Sequence, residues 1–363
     1  MAHEKIKILF LFPIFSTGGA EKLVLEYVKR LPRDRFLIAV GSTVEDGELR
    51  QAFVAAGVEL FVGSRKNMGG RIGVVKKLIS WAKNWQPDIV HTHLLGADLF
   101  GFWLKRKIIN LRWITTLHNV EYNTACWRRW LWRLILCRAD RIIAVSEKVK
   151  KYSQTEFKLQ NSQIITILNG IDLEKFLKVS NNLFNKEKIQ LAIIGRLTKQ
   201  KGHIYLFQAL ANLKMSWQLH IFGQGELRSN LEKKARDLGI SNQLVWHGVV
   251  DDLENYLSDI DVVVQPSLWE GLSLVILEMM TAGKPIITTP AGGEELLQDK
   301  VSGLIVPTQD FAAISSAIQF LYDNPDRARQ IGQSAREQAV TGFSIEKNIE
   351  ILKYIYLDLC LKG

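Results

Sequence analysis

Glu270 and Glu278 are the carboxylates whose spacing carries chemistry, with seven residues between them and Gly271-Leu272-Ser273 following the first. Ahead of them, Asp261-Val262-Val263-Val264-Gln265-Pro266-Ser267 is a β-branched run stopped by proline, the pattern of a buried parallel strand. Behind Glu270, residues 272–282 are apolar-rich at helical length and are closed by Gly283, with Pro285 just beyond. Glu270 and Gly271 therefore occupy a strand-to-helix turn, with Ser273 placed to cap the helix. In an open parallel sheet such turns lie at the carboxyl ends of the strands, where ligands bind. Free N–H groups of Gly271, Leu272 and Ser273 would form an anion site at the helix start. Glu278, in an otherwise apolar helix, can accept hydrogen bonds from a diol such as a ribose, and Glu270 from a second polyol. Taken singly, a solvated helix glutamate and a loop glutamate are the plainer alternative.

A second turn carries cations. Residues 189–194 read as a strand, and Gly195-Arg196 and Lys201-Gly202 bracket the turn after it. A guanidinium fork and an ammonium point charge can hold a diphosphate and neutralise the charge it develops on leaving; two surface cations are the alternative. Phe222-Gly223-Gln224-Gly225-Glu226 is another strand-then-glycine turn, and Arg228 stands where a dinucleotide fingerprint needs its third glycine. Gly18 and Gly19 follow the first strand and let a backbone approach a ligand, or supply a positive φ. His91 and His93 share one face of a strand, but no third ligand accompanies them, so zinc is not expected. His118 ends the next strand, as a ligand-side or a packed core histidine. Asp259-Ile260-Asp261 has the spacing of metal-dependent sugar transferases, yet it leads into a strand instead of ending one.

The turns need a framework, and the alternation along the chain supplies it. In the first half, strands at 6–12, 36–40, 58–61, 88–92, 112–117, 141–145 and 164–168 are separated by helices at 21–31, 48–56, 73–84, 97–107 and 126–137 and by a short helix capped by Ser146. Residues 173–188 are polar and irregular and read as an interdomain connection, with Asn181, Asn182 and Asn185 a polar patch without chemistry. The pattern then restarts, with strands at 189–194, 218–222, 244–246, 262–265 and 286–288 and helices at 204–213, 272–282, 311–322 and 325–340. A last helix covers 345–361. The expectation is α/β, with domains at 1–172 plus 344–363 and at 173–343, each opening strand, glycine turn, helix.

Together, the Glu270-Gly271-Leu272-Ser273…Glu278 stretch, the Arg196–Lys201 turn and the ordered glycine turns resemble glycosyltransferase family 4, retaining nucleotide-sugar transferases of the GT-B architecture. The resemblance covers nearly the whole chain, most specifically residues 195–295. It implies two Rossmann-like domains facing a cleft, the second binding the donor and the first the acceptor, with the last helix crossing back. It implies a catalytic set of Arg196, Lys201, Glu270 and His118, the last matching a cleft histidine that approaches the donor sugar. Gly18, Gly19, Gly195, Gly223, Gly225, Gly271, Leu272, Ser273, Glu278, Gly292 and Gly293 then line the donor, with backbone N–H groups the working part of Ala291-Gly292-Gly293. The family's acid at Asp259-Ile260-Asp261 is structural, so that pair is a decoy. No metal or other cofactor is expected, because Arg196 and Lys201 supply the charge. Attack on the front face, with the leaving diphosphate taking the acceptor's proton, replaces the carboxylate nucleophile of retaining glycosidases. A UDP-sugar donor and a lipid-linked or cell-envelope glycan acceptor are favoured; a GT-B enzyme of other chemistry, such as a nucleotide-sugar epimerase, is the alternative.

Composition agrees with this. A chain of 363 residues exceeds one usual core, and 47% hydrophobic with 23% charged residues is ordinary globular composition. No apolar run has membrane-span length. The basic-then-apolar stretch at 5–15 is interrupted by Pro13 and lacks a cleavage site, so it reads as a strand and not a signal peptide. Cys126, Cys137 and Cys360 show neither disulfide nor metal spacing, which fits the cytoplasm. The net charge of +10 is uneven: residues 1–172 hold 27 Lys and Arg against 15 Asp and Glu, leaving 20 against 22 in the remainder. The first half should meet an anion: a phosphorylated acceptor, a lipid head group or nucleic acid. Nucleic acid is disfavoured by the lack of its recognition motifs. On the helix at 126–137, Trp127, Trp130, Leu131, Leu134 and Ile135 form one stripe, flanked by Arg128, Arg129 and Arg133, with Trp132 off it. That stripe suits a membrane interface or the domain core. His93 and this helix are assigned to the acceptor or membrane side, with peripheral contact to an anionic inner membrane face.

Overall fold

Alternating apolar strands and amphipathic helices assemble into two parallel sheets, each in its own unit. The structure is a computed structural model that describes residues 5–16, 18–120, 126–181, 183–184 and 187–361. Thr17 of the first glycine loop, Asn182 and Asn185 lie outside the described residues.

The first unit comprises residues 1–170 and 345–363. Its strands are β1 Ile6–Ile14, β2 Phe36–Glu45, β3 Glu59–Val62, β4 Ile89–His93, β5 Arg112–Leu117, β6 Arg141–Ala144 and β7 Ile164–Thr166, in the order β3-β2-β1-β4-β5-β6-β7. Its helices are α1 Gly19–Arg30, α2 Arg50–Ala55, α3 Gly70–Trp85, α4 Leu95–Lys107, α5 Cys126–Leu136 and α6 Glu147–Phe157. β1 reads as a continuous apolar run because helices cover both faces of a parallel sheet, and Ile8 to Phe12 are fully buried. Ser146 caps α6, accepting from Val149 N at 3.1 Å.

The second unit comprises Ile171–Ser344. It contains α7 Leu173–Leu177, β8 Ile189–Ile194, α8 His203–Ala211, β9 Trp217–Phe222, α9 Arg228–Asp237, β10 Leu244–Gly248, α10 Glu254–Leu257, β11 Val262–Gln265, α11 Leu274–Thr281, β12 Ile286–Thr288, α12 Pro290–Gly293, β13 Leu304–Ile305, α13 Phe311–Asp323 and α14 Pro325–Gly342. Its strand order is β10-β9-β8-β11-β12-β13. In both sheets the strand order reverses beside the opening strand, at β1/β4 and at β8/β11. The glycine turns after β1 and β8 thus stand at the topological switch points, where doubly wound sheets bind ligands.

Two features differ from the sequence expectation. Residues 173–188 are not a free connection: Phe176, Val179 and Leu183 are buried, and Phe176 and Val179 join the second unit's core beside α11. Their apolar spacing within a polar stretch hid this. The division also falls at Gly170/Ile171, where Ile171 N donates to Phe343 O at 3.0 Å. The last helix, α15 Ile345–Leu361, packs Ile345, Ile349, Leu352, Tyr356 and Leu359 into the first unit's core.

Candidate active site

The turns after β8 and β11 are fastened together. Gly202 has φ of 69°, and a Cβ there would lie 2.1 Å from Pro266 O, so only glycine permits this approach. Leu268 N donates to Gln200 O at 2.7 Å, and Gln200 Nε2 reaches Trp269 O at 2.8 Å and Glu270 Oε2 at 3.2 Å. Within this frame Lys201 Nζ meets Glu270 Oε1 at 2.5 Å, and Ser267 Oγ donates to the same oxygen at 2.9 Å. The pair is largely buried, with side-chain exposures of 15% and 9%. Arg196, on the same turn, is exposed and makes no ion pair with a described residue.

The third turn joins them. Gly223, at φ 129°, donates from its N to Gly248 O at 2.6 Å, and a Cβ on it would lie 2.1 Å from Gly195 O. Leu197 N donates to Gln224 O at 2.9 Å, and Gly225 lies against the backbone of Leu197. Gly223 and Gly225 therefore let the two turns press together, while Gly195, at φ 142°, leaves room for the Lys201 side chain. At the start of α11, the N–H groups of Gly271, Leu272 and Ser273 donate to no described residue. Ser273 caps the helix through Ile276 N, and Glu278 is half-buried one turn on.

The expected role of Gly292 and Gly293 is corrected here. The N–H groups of Gly292 and Gly293 are not available to a ligand: they donate to Thr289 O at 3.1 and 3.0 Å inside α12. Their use is close packing, since a Cβ on Gly292 would lie 3.3 Å from Ile276 Cδ1 and 3.8 Å from Glu270 Cγ. Asp261 accepts from Gln190 N at 2.7 Å and Phe184 N at 2.5 Å, tying the start of β8 to the preceding segment. That backbone duty accounts for the second acid of Asp259-Ile260-Asp261. Beside it, buried Lys284 donates to Ile260 O and Ser180 O, and burial lowers its pKa to about 8.

In the first unit, Gly18 makes room for Glu21, whose carboxylate would lie 2.5 Å from a Cβ and accepts from Ser16 Oγ at 3.1 Å. Gly19 begins α1. His91, His93 and His118 form a row of tilted rings, with centroids 4.4 Å and 5.1 Å apart. His91 bonds Tyr356 Oη through Nδ1 and Thr116 Oγ1 through Nε2, both at 2.7 Å. His93 Nδ1 lies 2.8 Å from His118 Nε2. Burial lowers all three pKa values, His91 to about 3 and His118 to about 4. His93 is fully buried and so cannot sit on an acceptor or membrane surface. Half-buried His118 lines a cavity of about 30 Å³ with Leu94, Tyr152 and Phe157.

On α5, the predicted stripe is open: Trp127 is 67% and Trp130 62% exposed, Leu131 and Leu134 are exposed, and only Ile135 of the five is buried. Arg128 and Arg133 are exposed, but Arg129 is tied in an ion pair to Glu156 of α6 and leaves the set of free surface cations. Four residues absent from the sequence-derived site take part in these networks: Gln200, Ser267, Thr116 and Tyr356. Gln200 adjoins Lys201 and Ser267 lies three before Glu270, so both were within reach; nothing local signals Tyr356, which lies 265 residues from His91.

Comparison with known proteins is consistent with this architecture. The profile for Glycosyltransferase Family 4 matches residues 17–175, and that for Glycosyl transferases group 1 matches residues 175–338. The chain is 28% identical to the Escherichia coli UDP-Gal:alpha-D-GlcNAc-diphosphoundecaprenol alpha-1,3-galactosyltransferase, covering 98% of each. It is 30% identical to an uncharacterized Haemophilus influenzae glycosyltransferase, over 95% of this chain and 98% of that protein. Among solved structures, Anabaena HepE in complex with UDP and glucose shares the fold at a TM-score of 0.85 and 22% identity, covering 97% of this chain and 100% of that one. A Rickettsia africae glycosyltransferase does so at 0.84 and 20%, covering 99% and 100%. With two adjoining profile matches and a 30% identical relative along nearly its full length, the two-sheet chain belongs to glycosyltransferase family 4 and carries its GT-B fold.

Proposed function

We propose that the protein is a retaining glycosyltransferase that moves a sugar from a UDP-sugar to a lipid-linked acceptor of the cell envelope, without a metal. The observation that carries the reading is the buried Lys201–Glu270 pair beside exposed Arg196 and the open N–H groups that start α11. A diphosphate on those N–H groups meets the α11 dipole and both cations. As the sugar's C1–O bond to the diphosphate breaks, charge grows on the leaving oxygen, and Arg196 and Lys201 stabilise it. The acceptor hydroxyl attacks C1 on the same face and passes its proton to that oxygen. Glu278 accepts from the ribose diol, Glu270 orients Lys201, and His118 contacts a hydroxyl of the sugar. Lys201, held by Glu270, and the exposed Arg196 supply the charge that a metal supplies elsewhere.

The named activity of the Escherichia coli relative, a UDP-sugar and a diphosphoundecaprenol acceptor, supports the choice of donor and acceptor. Among the described residues no helix is long and apolar enough to cross a membrane. Access to a lipid-linked acceptor then falls to the basic first unit, working in the cytoplasm at the inner membrane face. There the open tryptophans of α5 enter the interface and Arg128 and Arg133 meet anionic head groups.

A thermal-shift panel tests the donor. UDP-glucose and UDP-galactose should raise the melting temperature, while GDP- and ADP-sugars and duplex DNA should not; stabilisation by a GDP- or ADP-sugar alone would sink the UDP assignment. Turnover should survive EDTA. Loss with chelator and recovery with manganese would bring Asp259 back as a ligand, and an inverted anomeric product by NMR would remove retention.

A further inference from the structure

We infer that His93 is a positioning residue: it donates its Nδ1 hydrogen to His118 Nε2 and so holds His118 as the Nδ1–H tautomer, a neutral donor aimed at a sugar hydroxyl. This rests on the reading of His118 as a group that contacts the sugar.

Three observations carry it. His93 Nδ1 and His118 Nε2 are 2.8 Å apart, and two neutral imidazoles at that distance must place one proton between them. His93 is fully buried, and its Nε2 has no partner. Were the His93 proton on Nε2, an N–H group would be stranded in the core; with it on Nδ1, only a lone pair is stranded. Orphaned buried N–H groups are the rarer of the two. His118 is half-buried, and its Nδ1 has no described partner and is open to solvent. The hydrogen bond therefore has a direction, from core to surface, and ends in an N–H donor that solvent or ligand reaches. Burial keeps both rings uncharged near neutral pH, so the donor is dipolar and not cationic. His91 does not compete, because Tyr356 and Thr116 occupy both of its nitrogens. Its ring packs against that of His93, with centroids 4.4 Å apart. The arrangement is that of an outer partner fixing the tautomer of a working imidazole.

The test reads the tautomer directly. Long-range 1H–15N correlation spectra of the full chain, with 15N-labelled histidine at neutral pH, should show His118 protonated at Nδ1. His93→Leu should shift His118 toward Nε2–H. His93→Asn, whose amide N–H stands near the place of the imidazole Nδ1–H, should restore the original state. UDP release from UDP-glucose or UDP-galactose should fall about ten- to a hundredfold in His93→Leu, mainly in kcat, and recover in His93→Asn. An Nε2–H His118 in the unsubstituted protein overturns the inference even if no variant folds. So does an unchanged His118 tautomer in His93→Leu. If the tautomer switches while His118→Ala and His93→Leu both release UDP at the parent rate, the hydrogen-bond direction stands and the assignment of His118 to the sugar fails.

Discussion

α5 and α11 each carry an apolar face on a helix that follows a strand in the chain, and meet opposite fates. On α11, Ile276, Leu277, Met279 and Met280 are all fully buried, with α7 and α14 packed against the helix. On α5, Trp127, Trp130, Leu131 and Leu134 stay open. Ionisable groups divide too. The first unit buries the imidazoles of His91 and His93 and half-buries that of His118, while the second buries the Lys201–Glu270 pair and Lys284. Apolar periodicity therefore names a face without saying what covers it, and a buried polar group is set by its partners.

Acid should strike this contrast hardest. His91, His93 and His118 have folded pKa values below the ordinary 6.5, so the stability they contribute is fully present above that pH. It is lost as pH falls from 6.5 toward about 4 and about 3, because the unfolded chain then binds protons that the folded chain refuses. Each unit of depression adds about 1.4 kcal/mol. The second unit has one fully comparable group, His203 at about 3. Hydrogen exchange read peptide by peptide across this pH range should show the first unit opening first; simultaneous opening would erase the distinction.

Packing comes next. Leu277→Ala should cost about 2–5 kcal/mol in denaturant melts, as truncation in a closed core does. At the turn that α11 anchors, Lys201→Ala and Arg196→Ala should each lower donor turnover roughly a hundredfold, with folding intact. Near-parent rates in both would remove the cations from the chemistry. Arg128→Ser with Arg133→Ser should weaken binding to anionic vesicles by about 1 kcal/mol per residue, read by co-sedimentation, and spare donor hydrolysis. Parent-like binding would leave the open stripe without a lipid role. The smallest effect belongs to Leu134→Ser, which should change stability by no more than about 0.5 kcal/mol. A loss as large as that of Leu277→Ala would mean that α5 is covered in the working protein.

Much of the fold was legible because it is local. Continuous apolar runs named the strands, and Ser146 and Ser273 announced their caps. Helix α9 escaped: it is strongly polar and buries only Leu231 and Ala235, too sparse a stripe to show. α7 escaped because Phe176 and Val179 are isolated among polar neighbours. The glycines of the candidate site were found, but for partly different reasons. Gly223 and Gly202 serve contacts with Gly195 and Pro266, partners that spacing along the chain does not disclose.

The sequence alone determined the alternation of strand, glycine turn and helix, the order of the turns, the asymmetry of charge and the identity of the cations. These depend on residue type and near neighbours: β-branched runs, caps, glycine at tight turns and a count of charges. Tertiary structure alone decided that Lys201 meets Glu270 across 69 residues, that His93 is buried and paired with His118, that Gly292 and Gly293 spend their N–H groups on Thr289, and that α5 lies open. The physical reason is common to all four. Burial and hydrogen bonding are properties of what lies nearby in space, and a chain folded into a sheet brings together partners that its sequence holds apart.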